Sequence, residues 1–127
     1  MKPVKTFKVF GEMTGCLSTT ITQTLPPGGG PPPHAHTRED ETFFLLEGDY
    51  ELLQDGVWHE VPAAQAVLAK RGRVHTFRNA GTTTGKMLVF VTPAGMEKYL
   101  EEISVLTMPQ DVTQLMAISE CYGISFA

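Results

Sequence analysis

Two imidazoles, His34 and His36, stand one residue apart, and a carboxylate, Glu41, follows five residues after the second. On an extended strand alternate side chains share a face, so His34 and His36 reach toward one point together. Glu41 precedes the apolar run Phe43–Leu46 and can return to that point from the next strand. Much further along, His75 lies in Val74-His75-Thr76-Phe77-Arg78-Asn79, a second strand-like stretch able to supply a third imidazole. Neutral imidazoles with one carboxylate form a nitrogen and oxygen set suited to a divalent transition metal: Fe, Mn, Ni, Cu or Zn. A His-x-His pair alone is commonplace on strand surfaces. The fourth histidine, His59, has no partner at a useful spacing and reads as a surface residue.

These side chains need elements to aim them. Ahead of His34 runs Pro26-Pro27-Gly28-Gly29-Gly30-Pro31-Pro32-Pro33, the most biased segment of the chain. Its prolines impose extended backbone and its glycines permit turns, so it reads as a surface loop that delivers His34 in a fixed direction. Strands are expected at Val4–Phe10, Leu17–Leu25, Thr42–Leu46, Tyr50–Gln54, Val57–Val61, Ala63–Lys70, Val74–Arg78 and Lys86–Thr92. Asp55-Gly56 marks a two-residue hairpin between the fourth and fifth of these. Short strands at this turn spacing predict an all-β sandwich or barrel. With Glu41 facing inward, alternation sends Phe43 and Leu45 inward too; with His75 inward, Phe77 follows. Those three are the expected wall of an apolar substrate pocket. The spacing then becomes helical over Ala94–Ile103 and Asp111–Tyr122, with Asp111 placed to cap and Gly123 to terminate the second helix. Such helices are expected outside the barrel or at a dimer contact.

Composition narrows the function. A chain of 127 residues is one domain by size, 42% apolar and 19% charged, which is globular. A net charge of −4 argues against a nucleic-acid partner. Lys70, Arg71, Arg73 and Arg78 cluster locally, either as a solvated turn or as a rim that draws an anion. Cys16 and Cys121 are too few for a disulfide framework, and the lysine-bearing start lacks the apolar run of a signal peptide. No stretch of about 18 apolar residues spans a membrane. A cytoplasmic protein is therefore expected.

The spacing also resembles a known family. Gly28, five residues, His34-x-His36, four residues, Glu41, six residues and Gly48 resembles the first signature motif of the cupins. Gly72, His75 and Asn79 resemble the end of the second, although Ala64 and Lys70 replace its usual Gly and Pro. The two motifs cover Gly28–Asn79, and the flanking strands extend the likeness to about residues 18–93, with 94–127 as a helical extension. The resemblance implies a cupin double-stranded β-helix, a jelly-roll barrel with short C-terminal helices. It also implies His34, His36, Glu41 and His75 as metal ligands. Of Glu39, Asp40 and Glu41, only Glu41 keeps the cupin spacing, which leaves Glu39 and Asp40 for solvent. Asn79 is expected to fix the turn after its strand. Tyr122-Gly123 resembles the tail of quercetin-dioxygenase-like cupins.

On that resemblance the expected function is a metal-dependent dioxygenase of the quercetinase kind, acting on a small organic molecule, with Glu41 also a candidate base. The alternatives are a non-catalytic sensor of small molecules, a metal-assisted isomerase and a sugar-binding cupin. A homodimer is expected as well, because exposed sheet edges need covering and similar cupins pair.

Overall fold

The computed structural model describes residues 4–62 and 64–127. Its strands are β1 (Val4–Val9), β2 (Thr19–Leu25), β3 (His34–His36), β4 (Asp40–Glu47), β5 (Tyr50–Gln54), β6 (Val57–Val61), β7 (Ala66–Ala69), β8 (His75–Asn79), β9 (Gly85–Thr92) and β10 (Ile124–Phe126). Two helices, α1 (Met96–Ile103) and α2 (Val112–Cys121), fall between β9 and β10. The strands form two five-stranded sheets, ordered β1-β2-β9-β4-β7 and β10-β3-β8-β5-β6, and every pairing is antiparallel. This is the double-stranded β-helix expected from the sequence.

Period-two burial drives the assembly. In β4, Glu41, Phe43 and Leu45 are buried, while Asp40, Thr42 and Phe44 are less so. In β2 the buried set is Thr19, Ile21, Gln23 and Leu25. These inner faces meet Leu52, Val61 and Phe77 of the other sheet in one apolar core. At about 25 cal/mol per Å2 of apolar surface, each such side chain contributes roughly 1.5–3 kcal/mol. The β5–β6 hairpin turns on Asp55 and Gly56, both at positive φ (52° and 77°), as a tight primed turn requires.

The Gly/Pro segment is packed rather than free. Gly28 N–H donates to Asn79 O (2.8 Å), Asn79 N–H donates to Gly29 O (2.9 Å), and the Thr76 hydroxyl donates to Pro31 O (2.6 Å). The loop thus lies backbone to backbone along β8. A Cβ on Gly30 would stand 2.0 Å from Phe77 O, so only glycine permits this approach. Asn79 is buried and donates to Leu25 O and Thr83 O, while its own side-chain oxygen accepts from Gly81 N–H. It fixes the turn, as expected.

Three expectations need correction. The C-terminal extension is not wholly helical: Ile124–Phe126 forms β10, which pairs with the histidine strand β3. The helices do not simply coat the barrel, because Met96, Leu100 and Ile103 of α1 and Leu115 of α2 help enclose a cavity that reaches the histidines. Asp111 makes no side-chain cap on α2; its carboxylate instead accepts from Thr107 N–H at 2.8 Å, in the preceding turn. Strand β7 begins at Ala66, and Ala63, where that strand was expected to start, lies outside the described residues.

Candidate metal centre

His34 and His36 leave β3 one residue apart, and antiparallel pairing sets His34 directly opposite His75 on β8. Both strands belong to the second sheet. Glu41 comes from β4 of the first sheet, so the group bridges the two layers. The side chains of all four are within the interior: His34 is 7% exposed, His36 3%, Glu41 4% and His75 2%. One ligand atom each from His34, His36 and His75 lie within 4.8 Å of one another. Glu41 adds an oxygen 3.0 Å from His36 Nε2 and another 3.6 Å from His75 Nε2.

Whether these residues suit an ion is decided by their unused atoms. His36 Nε2 and His75 Nε2 are buried and make no hydrogen bond among the described residues, despite the nearby Glu41 oxygens. Buried polar atoms rarely stay unpaired without a role. At His34 and His75 the other ring nitrogen is engaged, His34 Nδ1 donating to Pro32 O (2.7 Å) and His75 Nδ1 to Arg73 O (3.2 Å), while neither nitrogen of His36 has a hydrogen bond among the described residues. A proton held on Nδ1 leaves the Nε2 lone pair for a cation. Metal bonds of about 2.0–2.2 Å put neighbouring ligands roughly 3.0–3.5 Å apart. Glu41 already stands near that distance from two imidazoles, and the histidine trio needs only a small closure. The three buried histidines could thus hold a divalent transition metal, with Glu41 in reach of the same point.

Electrostatics favour a cation at Glu41 and require His36 to release a proton before it can ligate. Burial, with the other histidines, outweighs the Pro32 hydrogen bond and the Glu41 charge and takes His34 down to about 4, so it is neutral at ordinary pH. Burial also opposes charge on His36, but the Glu39 and Glu41 carboxylates outweigh it and push His36 up to about 9. Burial would raise Glu41, yet His36 and His75 hold its carboxyl well below the usual carboxylate range. The cluster therefore carries an ionised carboxylate in a desolvated site, where interaction with a cation is strong.

Glu39 was placed wrongly from the sequence. Glu39 does not face solvent: it is 7% exposed, and its Oε1 lies 3.5 Å from His36 Nδ1. Strand alternation held the signal, since Glu39 and Glu41 share parity. Glu39 stands behind His36 at a distance from which a small closure would let it accept from the ring, an arrangement common behind metal-bound histidines. Replacing Glu39 by alanine should weaken metal binding about 10–100-fold in a chelator competition. The melting temperature of metal-stripped protein should fall, because His36 loses a carboxylate partner in a buried setting. Unchanged metal affinity in that variant would remove Glu39 from the site. Asp40 behaves more nearly as expected, half-buried and paired with Arg71 at 3.1 Å.

A cavity of about 300 Å3 opens onto the centre, bounded by His34, His36, Glu41, Phe43, Phe77, Val89, Leu100 and Phe126 among others. Two of the three expected wall residues, Phe43 and Phe77, line it. Leu45 does not; it is 1% exposed and sits in the apolar core. His75 lies behind the wall and borders a separate surface hollow with Gln54 and Lys70. The arginine cluster is not a free rim for anions: Arg73 pairs with Asp55 (3.2 Å), and Arg78 pairs with Glu51 (2.8 Å) while stacking on Trp58. His59 is exposed, and Cys16 and Cys121 are exposed free thiols. No helix is long and apolar enough to cross a membrane among the described residues.

Comparison with known proteins fits this architecture. No curated protein matches the chain by sequence. Among solved structures, a predicted oxalate decarboxylase from Thermotoga maritima is 22% identical, with a TM-score of 0.67 over 72% of this chain and 80% of that one. A sugar phosphate isomerase of the cupin superfamily from Silicibacter pomeroyi is 23% identical (TM-score 0.59, over 69% and 59%). A cupin domain of a transcriptional regulator from Enterobacter cloacae is 17% identical (TM-score 0.61, over 71% and 95%). Identities this low speak for the fold alone. A family model described as the cupin domain matches residues 21–91, the span that carries all four clustered side chains. That match covers more than half of the chain, and the two sheets have the double-stranded β-helix form: the chain belongs to the cupin domain family.

Proposed function

We propose that the protein is a metal-dependent oxidoreductase of the dioxygenase type, acting on a small organic molecule held in the cavity beside His34, His36 and Glu41. The observation that supports this reading is a buried three-histidine, one-carboxylate cluster beside a mainly apolar cavity. His34, His36 and His75 with Glu41 would hold the ion. When bound, a redox-active divalent ion supplies a route for electrons between an organic ligand and dioxygen. The chain supplies the rest. Phe43 and Phe77 keep bulk water from the reacting atoms, and their apolar surface strengthens each charge interaction nearby. The Pro32 and Arg73 carbonyls hold two imidazoles in one tautomer, so little reorganises during reaction. Glu41, ionised between His36 and His75, suits a ligand; as a base it would first have to leave those partners.

The overall change is insertion of both atoms of O2 into an enolisable or catecholic molecule, with cleavage of one carbon–carbon bond. Oxygen-electrode traces with Fe(II)-, Mn(II)-, Ni(II)- and Cu(II)-loaded protein and a panel of flavonols, β-diketones and catechols test it. Consumption of one O2 per product, lost in His75→Ala, is expected. Turnover that proceeds without oxygen would point to the isomerase class. Thermal stabilisation by a ligand with no product from any metal form would point to a sensor.

A further inference from the structure

The cavity wall opposite the histidines carries two polar groups that the metal centre does not use. Lys5 on β1 and Gln23 on β2 are paired across the ladder, and both line the cavity. Directly paired residues on one face of a sheet have Cβ atoms about 4.5–5.5 Å apart, so the two side chains can serve one ligand group. Gln23 is 6% exposed and makes no side-chain hydrogen bond among the described residues. A buried amide with donors and an acceptor ordinarily finds partners. Lys5 is exposed over much of its surface yet borders the cavity, and it has no ion pair among the described residues. Burial draws its ammonium below the ordinary lysine value, with Glu41 acting the other way. Arg71, Arg73 and Arg78 are paired with Asp40, Asp55 and Glu51, and Lys5 is the one lysine or arginine among the described residues that lines the cavity. The remaining wall, Ile21, Leu25, Val89, Leu100 and Ile103, is apolar.

We propose that Lys5 and Gln23 form the anchoring point for a carboxylate or similarly charged oxygen group, so that the cavity takes a small organic anion with an apolar body. The ammonium meets the charge, the Gln23 amide donates to the same group, and the apolar part lies against Phe43 and Phe77. This rests on the reading of the cavity as a ligand site. It names the ligand class and does not depend on which reaction follows.

The test is a titration under nitrogen, without turnover, of metal-loaded protein with 3-phenylpropanoate and its neutral amide, followed by calorimetry and thermal shift. A carboxylate can also approach the metal, so the deciding comparison is between proteins. In Lys5→Met the anion should bind about tenfold more weakly while the amide is unaffected; Lys5→Arg should restore most of the loss. In Gln23→Leu, close in volume, the anion should again lose several-fold, and 0.5 M salt should weaken anion binding more in the wild type than in Lys5→Met. Equal anion affinity in wild type and Lys5→Met overturns the proposal, as does failure of the anion to bind the wild type. If oxygen is never consumed but the Lys5-dependent preference for the anion holds, the redox reading fails and this one stands.

Discussion

Replacing His75 by alanine should remove the metal. Elemental analysis after dialysis is expected to fall from about one ion per chain to background, and affinity by a chelator titration should drop by more than a hundredfold. Loss of an orienting residue behind a ligand already costs about 10–100-fold. His75 is the cleanest histidine to remove, because it lies behind the cavity wall while His34 and His36 line it. The substitution should therefore strip the centre while leaving the cavity surface intact. Metal present at 100 times its Kd stabilises a fold by about 2.7 kcal/mol, and that increment should vanish in the variant. A variant that keeps full occupancy would show that His34, His36 and Glu41 hold the ion without β8.

Gly30→Ala should be the most damaging substitution outside the centre. Its added methyl would meet the backbone of β8: Phe77 O at 2.0 Å, with Phe77 C and Arg78 Cα both at 3.1 Å. Strand β8 is held between β3 and β5, so the loop must lift instead. Lifting it breaks the bonds of Gly28, Gly29 and Pro31 to β8. It also moves Pro32 O, the acceptor that holds His34 Nδ1. Destabilisation of about 2–4 kcal/mol is expected, roughly 10 °C in melting temperature, with weakened metal binding. Gly29→Ala, whose nearest atom is at 3.0 Å, should cost a fraction of that. If Gly30→Ala melts with the wild type, the loop is not pinned as described.

What could be read from the residues was mostly local. The Asp55-Gly56 hairpin falls between strands with the expected limits, because turn chemistry and alternation act within a few residues. Alternation from Glu41 to Leu45 gave the buried face of β4. It did not say what that face meets, so Leu45 went into the pocket when it belongs to the core. Glu39 was turned outward because motif spacing was followed past the point where parity should have been applied. The apolar stripe of α1 was legible, but a stripe says that a face is covered and not by what; here it closes a cavity. Strand β10 is three residues, Ile-Ser-Phe, too short for any pattern to show. The meeting of Glu41 with three histidines from another sheet is a long-range outcome, visible beforehand only through family likeness.

The last residues of the chain reach far beyond their place in the sequence. Ile124 lies opposite His36 and Phe126 opposite His34, and Thr37 and Ala127 donate to Gly123 O and Pro33 O at either end of that ladder. A three-residue strand at a sheet edge opens at little free-energy cost. Here any opening of β10 loosens the strand that carries two of the histidines, and by reciprocity an ion gripping that strand must quiet β10. Strand β10 thus works as a latch on a centre whose first histidine is some ninety positions upstream.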